Sequence, residues 1–203
     1  MLELDHIAIA ADTLEAGRTY VEQALGVTLQ PGGQHAHFGT HNLLLGLEEG
    51  LYLEVITVDP AAPAPGYPRW FDLDRFTGRP RPHIWICRTD DMAGFTADHP
   101  EAGQPVSLAR GDLRWQMAVP ADGILPRDNR FPAVIEWQCD THPATRLAPS
   151  GCRLAELEVH HPEARALQAH LLGQITDARV RFMPGPSALR VALDTPQGRR
   201  WLE

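Results

Sequence analysis

Hydrophobic positions along this chain follow two alternating periods. Residues 4–17 read LDHIAIAADTLEAG and residues 81–94 read RPHIWICRTDDMAG. Each string leads with a histidine, runs through apolar residues at every second position, and then reaches an aspartate where a helical period begins. Strict alternation marks a half-buried strand, and spacing near 3.6 marks an amphipathic helix. The first helix is delimited by Asp12 as N-cap, Glu15 three residues on, Leu14, Val21 and Leu25 along one face, and Gly26 as its stop. The second starts at Asp90 or Asp91, is interrupted at His99-Pro100 and ends by Gly103.

A third copy begins at Arg153, where RLAELEVHHPEARALQAHLLG gives a strand and then a helix. Pro162 stands near its first turn, Ala164, Leu167 and Leu171 form its apolar face, and Gly173 ends it. Strand-like runs fill the intervals at His41 to Leu47, Leu51 to Val58, Asp112 to Val119, Ala133 to Cys139, Ala178 to Met183 and Ala188 to Leu193. The order strand, helix, several strands therefore recurs about three times, and such self-similarity defines the architecture. The expected fold class is α+β, with repeated βαβββ modules forming curved mixed sheets around a cup and helices on the outer face. The modules fall at 1–60 and 83–140, with a truncated βαββ unit at 153–203, all in one compact unit. Residues 61–82 carry Pro63, Pro65, Pro68, Pro80 and Pro82 and read as a linker. Its centre, RWFDLDRFTG, is too aromatic for an inert spacer; Trp70, Phe71, Leu73 and Phe76 have helical spacing and predict a short packing helix.

Because strand side chains alternate between faces, each run splits into two sets. One set is apolar enough to lie under helices. The other gathers His6, Glu54, His83, Arg114, Gln116, Glu136 and Gln138. A solvated sheet face would also be polar, but this set includes Leu4, Ala8, Trp85, Val134 and Ile56, so a concave, partly buried surface is expected.

Composition narrows the partners. A formal charge of −8 with only the short basic groups Arg79/Arg81 and Arg199/Arg200 argues against nucleic acid. Cys87, Cys139 and Cys152 form no CxxC pair, which suits free thiols in a reducing compartment. With no basic leader at the N-terminus and no long apolar run, a cytoplasmic location without membrane insertion is expected. There is no GxSxG elbow, GxGxxG or GK[ST] loop, so hydrolase, dinucleotide and NTPase chemistry, and any nucleotide cofactor, have no support.

The strings LDHIAIAADTLEAG, GTHNLLLGLEEGLYLEVITVD, ICRTDDMAG, GDLRWQMAVP and FPAVIEWQCD, in this order and spacing, resemble the vicinal oxygen chelate superfamily and its glyoxalase-like branch. That resemblance implies one ligand from the first and one from the last strand of each module around a single divalent ion (Zn, Ni, Mn or Fe). Matched position by position, the implied ligands are His6, Glu54, His83 and Glu136. Two imidazoles and two carboxylates suit such a borderline ion and leave room for a substrate chelating through adjacent oxygens. Glu136 or Glu54 is the implied base. Arg114 is placed to neutralise a substrate carboxylate or phosphate, and Gln116 shares its face. The string GTHN recurs in this branch and offers His41 and Asn42 as ligand contacts. His35 and His37 share their alternation with His41, but a glycine-rich turn satisfying its own backbone accounts for them. In the third unit Glu156 and Arg190 replace the ligands and are expected to pair.

Three functions follow from the resemblance: a metal-dependent lyase, isomerase or dioxygenase acting on a small oxygen-rich metabolite; a non-catalytic pocket that sequesters a small molecule; or a vestigial pocket with a structural role. One scaffold hosts many chemistries. The exposed edges of paired sheets also suit a homodimer.

Overall fold

A computed structural model describes residues 1–203. The first module comprises β1 (Glu3–Ala10), α1 (Leu14–Leu25), β2 (Gln30–His35), β3 (Thr40–Gly46) and β4 (Tyr52–Val58). The second repeats the order with β5 (Arg81–Arg88), α2 (Met92–Asp98), β6 (Gln104–Arg110), β7 (Leu113–Val119), the single turn α3 (Pro126–Asn129) and β8 (Ala133–Trp137). Together they form one eight-stranded sheet of order β2-β3-β4-β1-β5-β8-β7-β6, in which each module occupies one half and β1 pairs antiparallel with β5 at the centre. The sheet curls until its two ends approach one another, so that Arg110 of β6 reaches His35 of β2.

The C-terminal unit, β9 (Arg153–His161), α4 (Ala164–His170), β10 (Val180–Pro184), β11 (Ala188–Thr195) and β12 (Gly198–Leu202), makes a separate four-stranded sheet of order β10-β9-β11-β12. It has one strand more than the βαββ pattern read from the sequence, in a different order from the other modules. Its expected Glu156–Arg190 pair does not form: Glu156 bonds Arg181, and Arg190 bonds Glu158 and Glu203. Residues 156 and 190 sit two positions out of register across β9 and β11, where Arg190 faces Glu158.

Two apolar cores lie on opposite faces of the curved sheet. The convex core joins Ile7, Ile9, Val21, Leu25, Leu53, Val55, Trp85 and Cys87 to Leu157, Val159 and Leu193 of the C-terminal unit. The concave core holds Ala8, Ala10, Ile56, Ile84, Ile86, Trp115, Met117, Ala133 and Ile135, with Trp70 and Phe71 from the linker. Burying a side chain of this size stabilises the fold by about 1.5–3 kcal/mol, so both faces hold the sheet in shape.

Helix α1 starts one residue later than the sequence suggested. Thr13 is the N-cap and accepts from the Ala16 N–H at 3.1 Å, while Asp12 accepts from Gly78 N–H. It ends at Gly26, whose φ of 68° only glycine adopts without strain. Gly17 lets the helix press onto β4, since a Cβ there would lie 2.3 Å from Val55. No helix is long and apolar enough to cross a membrane.

The candidate active site in the cup

A bulge at Asp5 sets the geometry of the cup. The β1–β5 register shifts between Leu4 and His6, so Leu4 joins the convex core while His6, Ala8 and Ala10 face the hollow. Asp5 itself is fully buried and surrounded by donors: His6 Nδ1 lies at 2.6 Å, His142 Nε2 at 2.9 Å and Trp137 Nε1 at 3.0 Å. Burial alone would raise its carboxyl, but hydrogen bonds from His142 and His6 outweigh that and hold it well below the usual carboxylate range. An ionised Asp5 fixes the His6 proton on Nδ1 and leaves Nε2 as an acceptor aimed into the cup. Tyr52 stacks on the imidazole with ring centroids 4.3 Å apart, which locks the ring plane.

The His6 Nε2 atom lies 3.7 Å from Glu54 Oε2. The other oxygen of Glu54 accepts from Asn42 Nδ2 at 2.5 Å, and Asn42 Oδ1 in turn accepts from Gly33 N–H at 2.7 Å. Gly32 is required beside this chain of bonds, because a Cβ there would stand 2.0 Å from Asn42 Oδ1. His35 completes the polar wall. Its Nδ1 meets Thr40 Oγ1 at 3.0 Å and its Nε2 meets Arg110 at 3.2 Å. Burial pushes its imidazole down to about 4, with the Glu54 charge opposing the fall and Arg110 adding to it. His35 is therefore neutral at pH 7 and accepts from the guanidinium.

Facing this polar wall are Trp115, Met117, Ile135 and Trp137 of the second module, with Trp70 and Phe71 closing the mouth. The strap that carries them is a single turn at Trp70–Asp72 in place of the short helix expected. Phe71 and Asp72 have φ of 61° and 57°, a left-handed backbone that costs free energy for non-glycine residues. It is anchored by Asp72 N–H to Gly123 O at 2.8 Å and by His83 Nε2 to Phe71 O at 2.8 Å. Trp70 is buried, lines the hollow, and its indole N–H has no partner. The free space inside is only about 30 Å³, enough for water-sized occupants.

The residues singled out from the sequence thus separate into two groups. His6, Glu54 and Asn42 converge in the cup. His41 does not: it lies beside Asp59, 3.8 Å away, on the opposite face of β3. Nor does His83, which is displaced by a register shift next to Ala8 and packs under the strap against Phe76. In β7 and β8 the facing pairs Trp115–Trp137 and Met117–Ile135 occupy the cup, so Arg114, Gln116 and Glu136 project from the convex side. Arg114 bonds the carbonyls of Gly111 and Leu113, Gln116 bonds Ser107, and Glu136 accepts from Met92 N–H at the start of α2. Helix α2 spans only seven residues and leaves part of that face to solvent, which is where the polar set belongs. The sequence reading missed Asp5, His35, Tyr52 and Arg110. His35 did stand out through its alternation with His41 but was read as part of a turn; Arg110 gives no local signal, because it acts across the seam of the curled sheet.

The divalent ion that the resemblance implies needs at least three converging donors. Here two converge, His6 Nε2 and Glu54 Oε2. The third imidazole, His35, lies 4.0 Å from Glu54 Oε1, but its free lone pair already accepts from Arg110, whose positive charge also repels a dication. The cup therefore does not fit a metal centre, and no chemistry is derived through one.

A family model described as glyoxalase-like domain matches residues 4–175. No curated protein matches the sequence. Among solved structures, a hypothetical protein from Staphylococcus aureus shares the fold at a TM-score of 0.59 and 15% identity, covering 99% of this chain and 84% of that one. Methylmalonyl-CoA epimerase from Mycobacterium tuberculosis aligns at a TM-score of 0.42 and 17% identity, over 66% of this chain and 85% of that one. A hypothetical protein from Bacillus halodurans aligns at 0.45 and 17%, over 69% and 96%.

Proposed function

The chain belongs to the glyoxalase-like domain family, and from that premise we propose that it binds a small, oxygen-rich, anionic metabolite in the cup and moves a proton on it, as an isomerase or lyase does. The reading rests above all on the buried His6–Glu54 pair. Two proton acceptors face one small volume at 3.7 Å, and each is held from behind, His6 by Asp5 and Glu54 by Asn42. A carboxylate with one oxygen anchored and the other free is oriented for abstracting a proton next to a carbonyl. An imidazole whose Nδ1–H is held by an ionised carboxylate keeps its Nε2 lone pair turned into the cup as an acceptor. Arg110 and the unpartnered Trp70 N–H supply the donors that negative charge on the substrate, or developing in the reaction, requires.

A second reading, sequestration without turnover, is favoured by the aromatic wall of Tyr52, Trp70, Phe71, Trp115 and Trp137, which offers stacking faces to a ligand. In both readings the strap must lift to admit a ligand. The test is solvent-deuterium exchange into a panel of small 2-oxo and 2-hydroxy acids, followed by NMR, with the wild type and Glu54→Gln. Exchange that falls about 100-fold or more in the variant supports proton transfer. Exchange that persists undiminished in both Glu54→Gln and His6→Asn defeats it. A ligand that raises the melting temperature without any exchange selects sequestration.

A further inference from the structure

Outside the cup, on the convex side, His99, Glu101 and His170 bring three ligand atoms within 4.8 Å of one another. His99 Nδ1 lies 3.2 Å from His170 Nε2 and 3.7 Å from Glu101 Oε1, and His170 Nε2 lies 3.3 Å from the same oxygen. Two of the residues are near neighbours in the chain and the third comes from the C-terminal unit. His99 is the C-cap of α2, Glu101 belongs to the 3-10 turn Pro100–Ala102 that follows, and His170 is the last residue of α4 in the C-terminal unit.

The protons available cannot satisfy this triangle. Gln174 Oε1 lies 3.0 Å from His99 Nε2 and accepts its proton, which leaves Nδ1 as a bare acceptor. Glu101 offers only acceptors when ionised. A proton on His170 Nε2 can serve one of the two edges that meet there and leaves the edge between His99 and Glu101 with none; with that proton on His170 Nδ1 instead, all three atoms are acceptors. Three lone pairs turned to one point describe the coordination shell of a cation. Around four-coordinate zinc, ligand atoms about 2.0–2.1 Å from the ion sit roughly 3.3 Å from each other, and the three edges here match that spacing. The Gln174 bond to the far nitrogen of His99 is the outer-sphere contact that ligating imidazoles usually make. His99 is buried between Phe95 and Phe131, whereas Glu101 and His170 are 37% and 41% exposed, so the fourth position opens to water.

We propose that His99, Glu101 and His170 form a binding site for one divalent transition-metal ion of the zinc class, which staples the C-terminal unit to the end of α2. The site is independent of the chemistry assigned to the cup. Two imidazoles and a carboxylate suit zinc, cobalt or nickel better than magnesium or calcium, which prefer all-oxygen shells.

The experiment is titration of chelator-treated full-length protein with zinc(II) alone, and with cobalt(II) read by its visible absorption. The expected result is one ion per chain, a tetrahedral cobalt spectrum, and a higher unfolding midpoint with zinc. His170→Ala and Glu101→Gln change exposed side chains; each should abolish the stoichiometric site and the shift in midpoint, while His6→Ala retains both. Gln174→Leu should weaken zinc about 10–100-fold. The proposal is overturned if no stoichiometric zinc binds, or if binding is unchanged in His170→Ala, or if it is lost in His6→Ala, which would move the ion to the cup.

Discussion

The two halves of the cup are built from the same run of strands yet present opposite chemistries. The first module turns His6, His35, Asn42, Tyr52 and Glu54 inward, while the second turns in Trp115, Met117, Ile135 and Trp137 and contributes one charge, Arg110, from the far edge. Equivalent backbone positions thus carry polar, hydrogen-bonding side chains on one side and an apolar wall on the other. The difference matters physically, because a low-dielectric wall strengthens every charge interaction on the polar side. A symmetrical cup with four ligands would hold an ion; this one holds an imidazole and a carboxylate, hydrogen-bonded to Asp5 and Asn42 respectively, against an apolar surface.

The sharpest way to break the comparison is to remove the wall. Trp115→Ala should cost about 3–5 kcal/mol in chemical denaturation, because Trp115 is buried in the concave core and cannot be replaced by solvent without loss. A cost below 1 kcal/mol would mean that the second module is not structural in this sense. Acid should act next, through the imidazoles. Burial brings both His35 and His83 down to about 4, with Arg110 and Arg130 respectively contributing. Unfolded histidines take up protons near 6.5, so between about 6.5 and 4 the unfolded chain binds more protons than the folded one. Stability therefore rises with pH through that window and is lost as pH falls, by roughly 3 kcal/mol for each residue at full extent. Denaturation midpoints measured from pH 7 to 4 should show this slope, and His35→Asn should reduce it by roughly half. The smallest effect is expected on the convex side. Arg114→Ala should change stability by no more than about 0.5 kcal/mol and leave ligand binding in the cup intact; loss of binding would contradict the outward placement of that face.

The repeat, both cup modules and the convex helices were legible because they are written in apolar periodicity. Three strands were not. Gln30–His35, Gln104–Arg110 and Gly198–Leu202 read QPGGQH, QPVSLAR and GRRWL, with proline, glycine or charge where alternation would be needed. All three are edge strands, the place where such residues are tolerated. At the site, strand parity put His6 and Glu54 in one set, and the two side chains lie 3.7 Å apart in the hollow, but parity could not say which face of each later strand turns inward. In β7 and β8 the polar set was assigned to the hollow, whereas the aromatic set fills it. Parity fixes which side chains share a face; only packing decides which face is covered. The bulges at Asp5 and beside His83 add a second obstacle, since one extra residue reverses alternation without leaving any mark on composition.

The central pairing of β1 with β5 joins the two halves within a single polypeptide. Assembly of the hollow is thereby a unimolecular event whose yield does not vary with how much protein is in solution. Any binding or turnover it supports should persist undiminished on dilution, with specific activity flat across decades of concentration.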